Sequence, residues 1–440
     1  MSDVKTVTDE SLENGVLTSK TTIAETASPA EQPELNVSGP DLTTTGRWSG
    51  HFSTRVAGLR KSELRAAFAK VSRSEAVSLA GGMPFESSLP PDLVMHAVSN
   101  VLRDHGGVAL QYGPGQGVPL LREQILEVMA LEGIEATADD IVVTTGSQHA
   151  LDLVAGILID PGDVVLVEAP SYMGSIGVFR SHRADIVHVS IDDEGMNPDD
   201  LRKTIAEVTA SGRRIKFVYT IPNFQNPTGV TLSGSRRSEI LEICQANGVL
   251  ILEDNPYGLL YFDEPAPDAL YSLDSDGVIY LGTFSKTLTP GFRVGWALAP
   301  KEIREKLVLA NESSVLCPSS FSQMIISEYL ANANWKGQIH ASREVYRERK
   351  IAMIGALNDY VPELTWTNPE GGFFVWLTLP EGMDAKALLP RAVTELVTYI
   401  PGSAFYADGG GQAHIRLSFS FSTPDEIREG VRRLARVLTP

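Results

Sequence analysis

Two cysteines, Cys244 and Cys317, are all that the 440 residues contain. So few, and so far apart, they offer neither a disulfide framework nor the paired spacing of a metal site, and they read as structural thiols of a reducing compartment. The N-terminus lacks a basic segment followed by an apolar run, so no secretory signal is expected. Long apolar runs are missing as well. Stretches such as 164–167 and 249–252 are strand-sized, whereas a membrane-spanning helix needs about 20 apolar residues. Basic residues are the minority, 37 Lys and Arg against 55 Asp and Glu, for a formal charge of -18. That balance opposes nucleic acid or an anionic membrane as a partner, and the expectation is a soluble, cytoplasmic protein.

Aromatic residues are absent from the first 47 positions, which are rich in Ser, Thr, Glu and Pro. A segment of that kind cannot bury enough apolar surface to offset its chain entropy, so 1–47 is expected to be a mobile tail. Order is expected to begin at 48–52, with an amphipathic helix over 62–69. From about residue 92 short apolar runs at 141–144, 164–167, 186–189, 217–219, 249–252 and 278–281 alternate with helical stretches such as 120–131 and 150–158. That alternation predicts an α/β fold with a largely parallel sheet covered on both faces. After Pro300 the pattern changes to helices over 303–330 and 342–358 with strands at 373–377 and 415–419, which reads as a second, smaller α+β unit.

Several runs at the strand ends carry chemistry. Gly282-Thr283-Phe284-Ser285-Lys286-Thr287-Leu288 follows the apolar run 278–281. A lysine there is an unusual choice unless its amine is used. Partial desolvation and a nearby cation would lower its pKa and make it a nucleophile toward an aldehyde. Thr283 and Ser285, with Arg293 a little further on, would suit a phosphate dianion. Alone, a Ser-Lys pair would read as a surface loop. Glu253-Asp254-Asn255-Pro256-Tyr257 ends the run 249–252, where an aspartate is also a common helix cap. Asn223-Phe224-Gln225-Asn226-Pro227-Thr228-Gly229 has the composition of a turn. Thr145-Gly146-Ser147-Gln148 opens a helix, and amides at a helix N-terminus with the dipole behind them cradle phosphate. Tyr112-Gly113-Pro114-Gly115-Gln116-Gly117 lacks the spacing of a dinucleotide loop. Arg416, inside the apolar run 415–419, calls for an anion. Its planar fork suits a carboxylate, a salt bridge within the small unit being the other reading.

Taken together, these runs resemble the class I/II aminotransferases, fold type I enzymes that use pyridoxal phosphate, and most of all their 2-aminoadipate and broad-specificity amino-acid branch. The resemblance extends from about residue 52 to the C-terminus. It implies a large domain (91–300) with a mainly parallel seven-stranded sheet between helices, and a smaller α+β domain (301–440) joined by 48–90. It implies that Lys286 carries the cofactor and acts as general base and acid. It assigns Asp254 to the pyridine nitrogen, Asn226 and Tyr257 to the ring's 3-oxygen, and Tyr172 to one face of the ring. The phosphate falls to Gly146, Ser147, Gln148, Thr283, Ser285 and Arg293. Tyr112 is implied to reach the phosphate of a second subunit, which makes the protein a homodimer with shared sites. Arg416 takes the substrate's α-carboxylate, with Gly82 and Asn226 lining the same pocket. Two positions depart from the pattern. Thr283 stands where many relatives have serine and keeps the hydroxyl. His149, where relatives repeat glutamine, reads as a packing residue.

The reading is an aminotransferase acting between an amino acid and a 2-oxo acid. Phe85, Tyr172, Phe373, Phe405 and Tyr406 suggest room for a large apolar or aromatic side chain, if they line the pocket and do not merely pack the core. An arylglycine such as 3,5-dihydroxyphenylglycine, made for antibiotic biosynthesis, is one such donor, beside 2-aminoadipate and branched-chain amino acids. No second arginine can be set against a side-chain carboxylate, so dicarboxylic donors stay open. A lyase, decarboxylase or cyclase using the same cofactor is the first alternative. A transcription regulator of the aminotransferase-like type is the second, and the stretch before residue 50 is too short and acidic for its DNA-binding domain.

Overall fold

Short runs of Val, Ile and Leu buried on both faces make parallel strands, and here they assemble the frame on which the site is built. The computed structural model describes residues 47–53, 55–56, 75–85 and 90–439. The tail expected over 1–47 lies outside the described residues except for Arg47, and so does the helix expected over 62–69.

In chain order the strands are β1 (Val77–Ser78), β2 (Val142–Thr144), β3 (Val164–Ala169), β4 (Asp185–Asp192), β5 (Gly195–Met196), β6 (Ile215–Thr220), β7 (Leu250–Asp254), β8 (Val278–Thr283), β9 (Gly295–Leu298), β10 (Thr365–Trp366), β11 (Phe374–Thr378), β12 (Val397–Thr398), β13 (Ile400–Pro401) and β14 (His414–Ser418). The larger sheet runs β2-β9-β8-β7-β6-β3-β4-β5. Its centre, β8-β7-β6-β3-β4, is parallel throughout. The antiparallel member β9 lies between β2 and β8. Seven strands therefore form the expected sheet, and β5 adds a two-residue hairpin at the edge of β4. The sequence pattern missed β9, because Gly-Trp-Ala-Leu is too short to display a period.

Helices cover both faces: α1 (Pro91–Ala109), α2 (Pro119–Met129), α3 (Ser147–Leu158), α4 (Met173–Ser181), α5 (Pro198–Ala210), α6 (Gly234–Asn247), α7 (Lys301–Val315), α8 (Ser320–Asn332), α9 (Trp335–Tyr360) and α10 (Pro424–Leu438). The helical stretch expected over 303–330 is two helices, α7 and α8, broken near Leu316, whose φ is +65°. A smaller antiparallel sheet, β10-β11-β14-β13, stands apart from the first. Helix α10 packs on α9 through Ile427, Val431, Leu434 and Leu438, all buried at helical spacing. Its start is fixed by a capping box in which Thr423 and Glu426 satisfy each other's backbone N–H. The segment before residue 90 returns to this region, because β1 pairs in parallel with β12 and Leu79 accepts the N–H of Ser418. One continuous apolar core joins residues of both sheets, including Phe217 and Leu252 with Val375 and Leu417.

Candidate active site

In an open parallel sheet, ligands collect beyond the C-terminal ends of the strands, where loops and helix N-termini diverge. Here the loops after β2, β3, β6, β7 and β8 meet residues of β11, β14 and the segment 80–83. They enclose a cavity of about 1050 Å³. Lys286, Asp254, Asn226, Tyr257, Tyr172, Ser147, Gln148, Thr283, Ser285, Arg293, Gly82 and Arg416 all line it. Two expected residues do not. Gly146 N-caps α3 with φ +79°, and a Cβ there would lie 2.4 Å from Arg293 Nη2, so only glycine lets the guanidinium reach the helix terminus. Tyr112 is 77% exposed and contributes nothing to the cavity of its own chain.

Lys286 is half-buried, and its Nζ donates to the carbonyl of Gly82 at 2.8 Å. Burial lowers its pKa to about 8; Arg416 and Arg293 push the same way and Asp254 opposes them. Asp254 ends β7. Its Oδ2 accepts the Tyr219 hydroxyl at 2.9 Å, while its Oδ1 is buried with no partner. Burial raises its carboxyl to about 6, with Tyr219 and Lys286 pulling it back down.

Arg416 is buried on β14, against Phe374 at 4.2 Å and Phe405 at 5.0 Å. Its Nη1 donates to Asn226 Oδ1 at 2.9 Å, its Nη2 to the carbonyl of Ala80, and its Nε has no partner. Burial holds the guanidinium down at about 10, still a cation at neutral pH. With Oδ1 of Asn226 engaged, its amide nitrogen is left as a donor. Burial pushes the Tyr257 hydroxyl upward, so it stays protonated.

At the other end of the cavity Thr283 Oγ1 lies 2.9 Å from Ser285 Oγ and accepts the Ser285 N–H at 3.1 Å. Arg293, held in the left-handed region at φ +54°, reaches Ser285 Oγ and the carbonyl of Thr145, each at 3.4 Å. The amides of Ser147 and Gln148 precede the first intrahelical hydrogen bonds of α3, which begin at His149 and Ala150. Tyr172 N-caps α4 and is tied to Gln148 by a hydroxyl bond of 3.3 Å. His149 bonds the Thr145 N–H and Ser314 and does not line the cavity.

Among the described residues no group of His, Cys, Asp and Glu is placed to hold a metal, and no helix is long and apolar enough to cross a membrane. The family profile described as Aminotransferase class I and II matches residues 78–434. The chain belongs to that family. This aminotransferase is 41% identical over 391 residues, 88% of its length and 94% of the relative's, to aromatic-amino-acid aminotransferase 1 of Thermococcus litoralis. Among solved structures, Pyrococcus horikoshii kynurenine aminotransferase in complex with PMP superposes with a TM-score of 0.85, 37% identity, 89% of this chain and 98% of that one. LysN, the α-aminoadipate aminotransferase of Thermus thermophilus complexed with N-(5'-phosphopyridoxyl)-L-leucine, does so at 0.82, 38%, 89% and 98%. The protein is thus an amino-acid aminotransferase of fold type I, and its cofactor is pyridoxal phosphate. The residues present fit that group. A buried carboxylate oxygen without a partner, a cluster of hydroxyls and a guanidinium at a helix N-terminus, and a lysine of lowered pKa share one cavity.

Sequence reasoning missed four participants. Tyr219 read only as the end of an apolar strand, although a phenol at a strand's C-terminal end signals a polar partner. Glu168, buried on β3, accepts from Thr220, Ile221 and Gln225, and burial raises it to about 7. It fixes the loop that carries Asn226, and a glutamate in an apolar run was its visible mark. Phe374 and Arg180 also line the cavity. Of the aromatics suggested for the pocket, only Tyr172 and Tyr406 face it. Phe373 and Phe405 are fully buried core, and Phe85 lies under Arg349 at 4.3 Å.

Proposed function

We propose that this aminotransferase takes its amino group from an amino acid with a large apolar or aromatic side chain and passes it to a 2-oxo acid, with Lys286 as the cofactor-bearing and proton-moving group. The observation that carries this reading is the floor of the cavity, where the lowered amine of Lys286 stands beside a buried guanidinium, Arg416, whose Nε lacks an acceptor. The cavity continues along α4 past Met173, Ile176 and Arg180, with Met83, Ala404 and Tyr406 also lining it. That gives room and apolar surface for a large side chain. Two of the relatives are named for aromatic amino acids and for kynurenine, which supports the same donor class, while others are named for 2-aminoadipate.

Arg416 holds the α-carboxylate through charge-assisted hydrogen bonds, which keeps the α-carbon from wandering. Pyridoxal phosphate, when bound, supplies an electron sink for the α-carbon and a carrier for the amino group. Asp254, ionised at neutral pH, has Oδ1 open and would offer it to the pyridine nitrogen, while Tyr219 fixes the carboxylate through Oδ2. Asn226 and Tyr257 would meet the ring oxygen, Tyr172 a ring face. Ser147, Gln148, Thr283, Ser285 and Arg293 would hold the phosphate. Lys286 Nζ would hold the cofactor at rest and, when the substrate's amine takes its place, would take the proton from the α-carbon as general base and give it back as general acid; water then releases the oxo acid, and the amino group stays with the cofactor.

The two sheets would act as a large and a small domain, bridged at the site by the Arg416–Asn226 bond. The working unit is a homodimer. Leu110 and Tyr112 are exposed, and Gly113 is bonded to Cys317 beside exposed Leu316, so an apolar patch lies where a second copy can cover it and receive Tyr112.

The test is a half-reaction panel with no acceptor present: phenylalanine, tyrosine, kynurenine, 3,5-dihydroxyphenylglycine, 2-aminoadipate, leucine, aspartate and alanine. Bleaching of the visible cofactor band together with stoichiometric oxo acid is expected for the ring-bearing donors, with kcat/KM about tenfold or more above alanine. A preference for alanine or aspartate overturns the donor class. Carbon dioxide or ammonia in place of the oxo acid and bound amine overturns transamination.

A further inference from the structure

The peptide of Ala407 is gripped at both ends. Its N–H donates to His188 Nε2 at 2.8 Å, and its carbonyl accepts from Arg180. His188 stands on β4, and its Nδ1 lies 3.0 Å from the carbonyl of Glu168 on β3. A carbonyl oxygen only accepts, so Nδ1 carries the proton and Nε2 is the acceptor that Ala407 requires. The same imidazole lies against the ring of Tyr406, with centroids 5.5 Å apart, and the Ser171 N–H pins the Phe405 carbonyl at 2.9 Å. Residues 405–407 are therefore fastened to the large sheet and to α4, although they follow β13 of the small one.

These fastenings matter because of what comes next. Gly409-Gly410-Gly411 has no side chains to pack, and Gly409 and Gly411 have φ of +86° and +75°. Such a run adds little stiffness beyond the short-range bonds from the Gly410 N–H to Asp408 and from Gln412 to the Gly409 carbonyl, so contacts with other elements decide where the segment lies. Yet Tyr406, Ala407, Gly409 and Gln412 form part of the cavity's lining. Helix α4 lines the cavity from Met173 to Arg180, and seven residues of helix span about 10 Å. The part of the cavity beside Arg180 and Ala407 is thus well removed from the Tyr172 end, in reach of a substrate's side chain.

We infer that His188 is a positioning residue for side-chain specificity: by pinning Ala407 it fixes Tyr406 as the wall against which the donor's ring packs. The inference rests on the proposed assignment of this cavity to a large side chain. The experiment uses the holoenzyme and two substitutions. His188→Leu keeps an apolar contact for Tyr406 and removes both hydrogen bonds. His188→Gln carries an amide oxygen able to accept from the Ala407 N–H. For His188→Leu, KM for phenylalanine and the dissociation constant of the unreactive analogue 3-phenylpropanoate, measured by calorimetry, should rise about tenfold, with kcat within about threefold. His188→Gln should recover most of that loss. Should His188→Leu not fold, His188→Asn replaces it, keeping the Glu168 contact while falling short of Ala407.

Placed on a Tyr406→Ala background, His188→Leu should add little further loss, since both act on one wall; full additivity overturns the inference. So does a fall in kcat with affinity for 3-phenylpropanoate unmoved, or a His188→Gln protein that behaves like His188→Leu. A wild-type enzyme that does not distinguish phenylalanine from alanine overturns the donor class proposed above, a result separate from the analogue affinities that test the clamp.

Discussion

Lys286 illustrates how much of a residue's chemistry is set by its surroundings. Burial first, then Arg416 and Arg293, lower its pKa to about 8, and Asp254 offsets only part of this. A depressed lysine is neutral and reactive above its folded pKa and protonated below it. The rate at which apoprotein takes up pyridoxal phosphate, followed by the growth of the visible band, should therefore climb with pH and level off above about 8. A rate still climbing beyond pH 10 would mean that the amine is not depressed. The lysine, Asp254 and Arg416 were legible in the sequence because each is a charged residue at or in an apolar strand, a placement that demands a partner. Tyr219 was not, since its hydroxyl finds Asp254 35 residues away. The aromatics were legible only as a class. Phe373 and Tyr406 look alike in a sequence, and burial alone sends one to the core and the other to the cavity.

At the level of elements, most strands were readable from apolar runs, and the structure lengthens several of them by one or two residues at their C-terminal ends, where the chemistry sits. The alternation could not reveal β9, and with it the reason for a glycine next to the end of β8. Gly282 pairs with Trp296 of β9, and a Cβ there would fall 2.3 Å from the indole. Gly282→Ala should therefore force the strands apart and lower stability by about 1–3 kcal/mol, read as a reduced urea midpoint. An unchanged midpoint would mean that the indole moves freely. The same substitution should disturb Lys286, four residues on, more than a change of equal size on a surface helix. Helix α4 and the 402–412 segment carry the opposite lesson. Short-range bonds to Asp408 and Gln412 shape the turn at Gly409-Gly410-Gly411, and the contacts through His188 and Arg180 decide where the segment before it lies.

For the whole molecule, the exposed Tyr112 and the apolar residues around it are the features left unexplained within one chain. If a second copy receives Tyr112, two crippled proteins should repair each other. Lys286→Ala and Tyr112→Ala, each weak alone, should regain about a quarter of wild-type activity after unfolding and refolding together, because half the dimers are mixed and each mixed dimer has one intact site. No gain on mixing would place Tyr112 outside any shared site. The sequence by itself determined the chemistry. Short runs such as Phe284-Ser285-Lys286 and Asn226-Pro227-Thr228-Gly229 are readable because strand ends and helix starts position them locally, and the alternation of runs forces an α/β sheet. Only the tertiary structure decided what surrounds them. Ala80, Asn226 and Arg416 meet across 336 residues of chain, an arrangement that depends on the packing of two sheets and on which groups lose their water, and no local pattern encodes either.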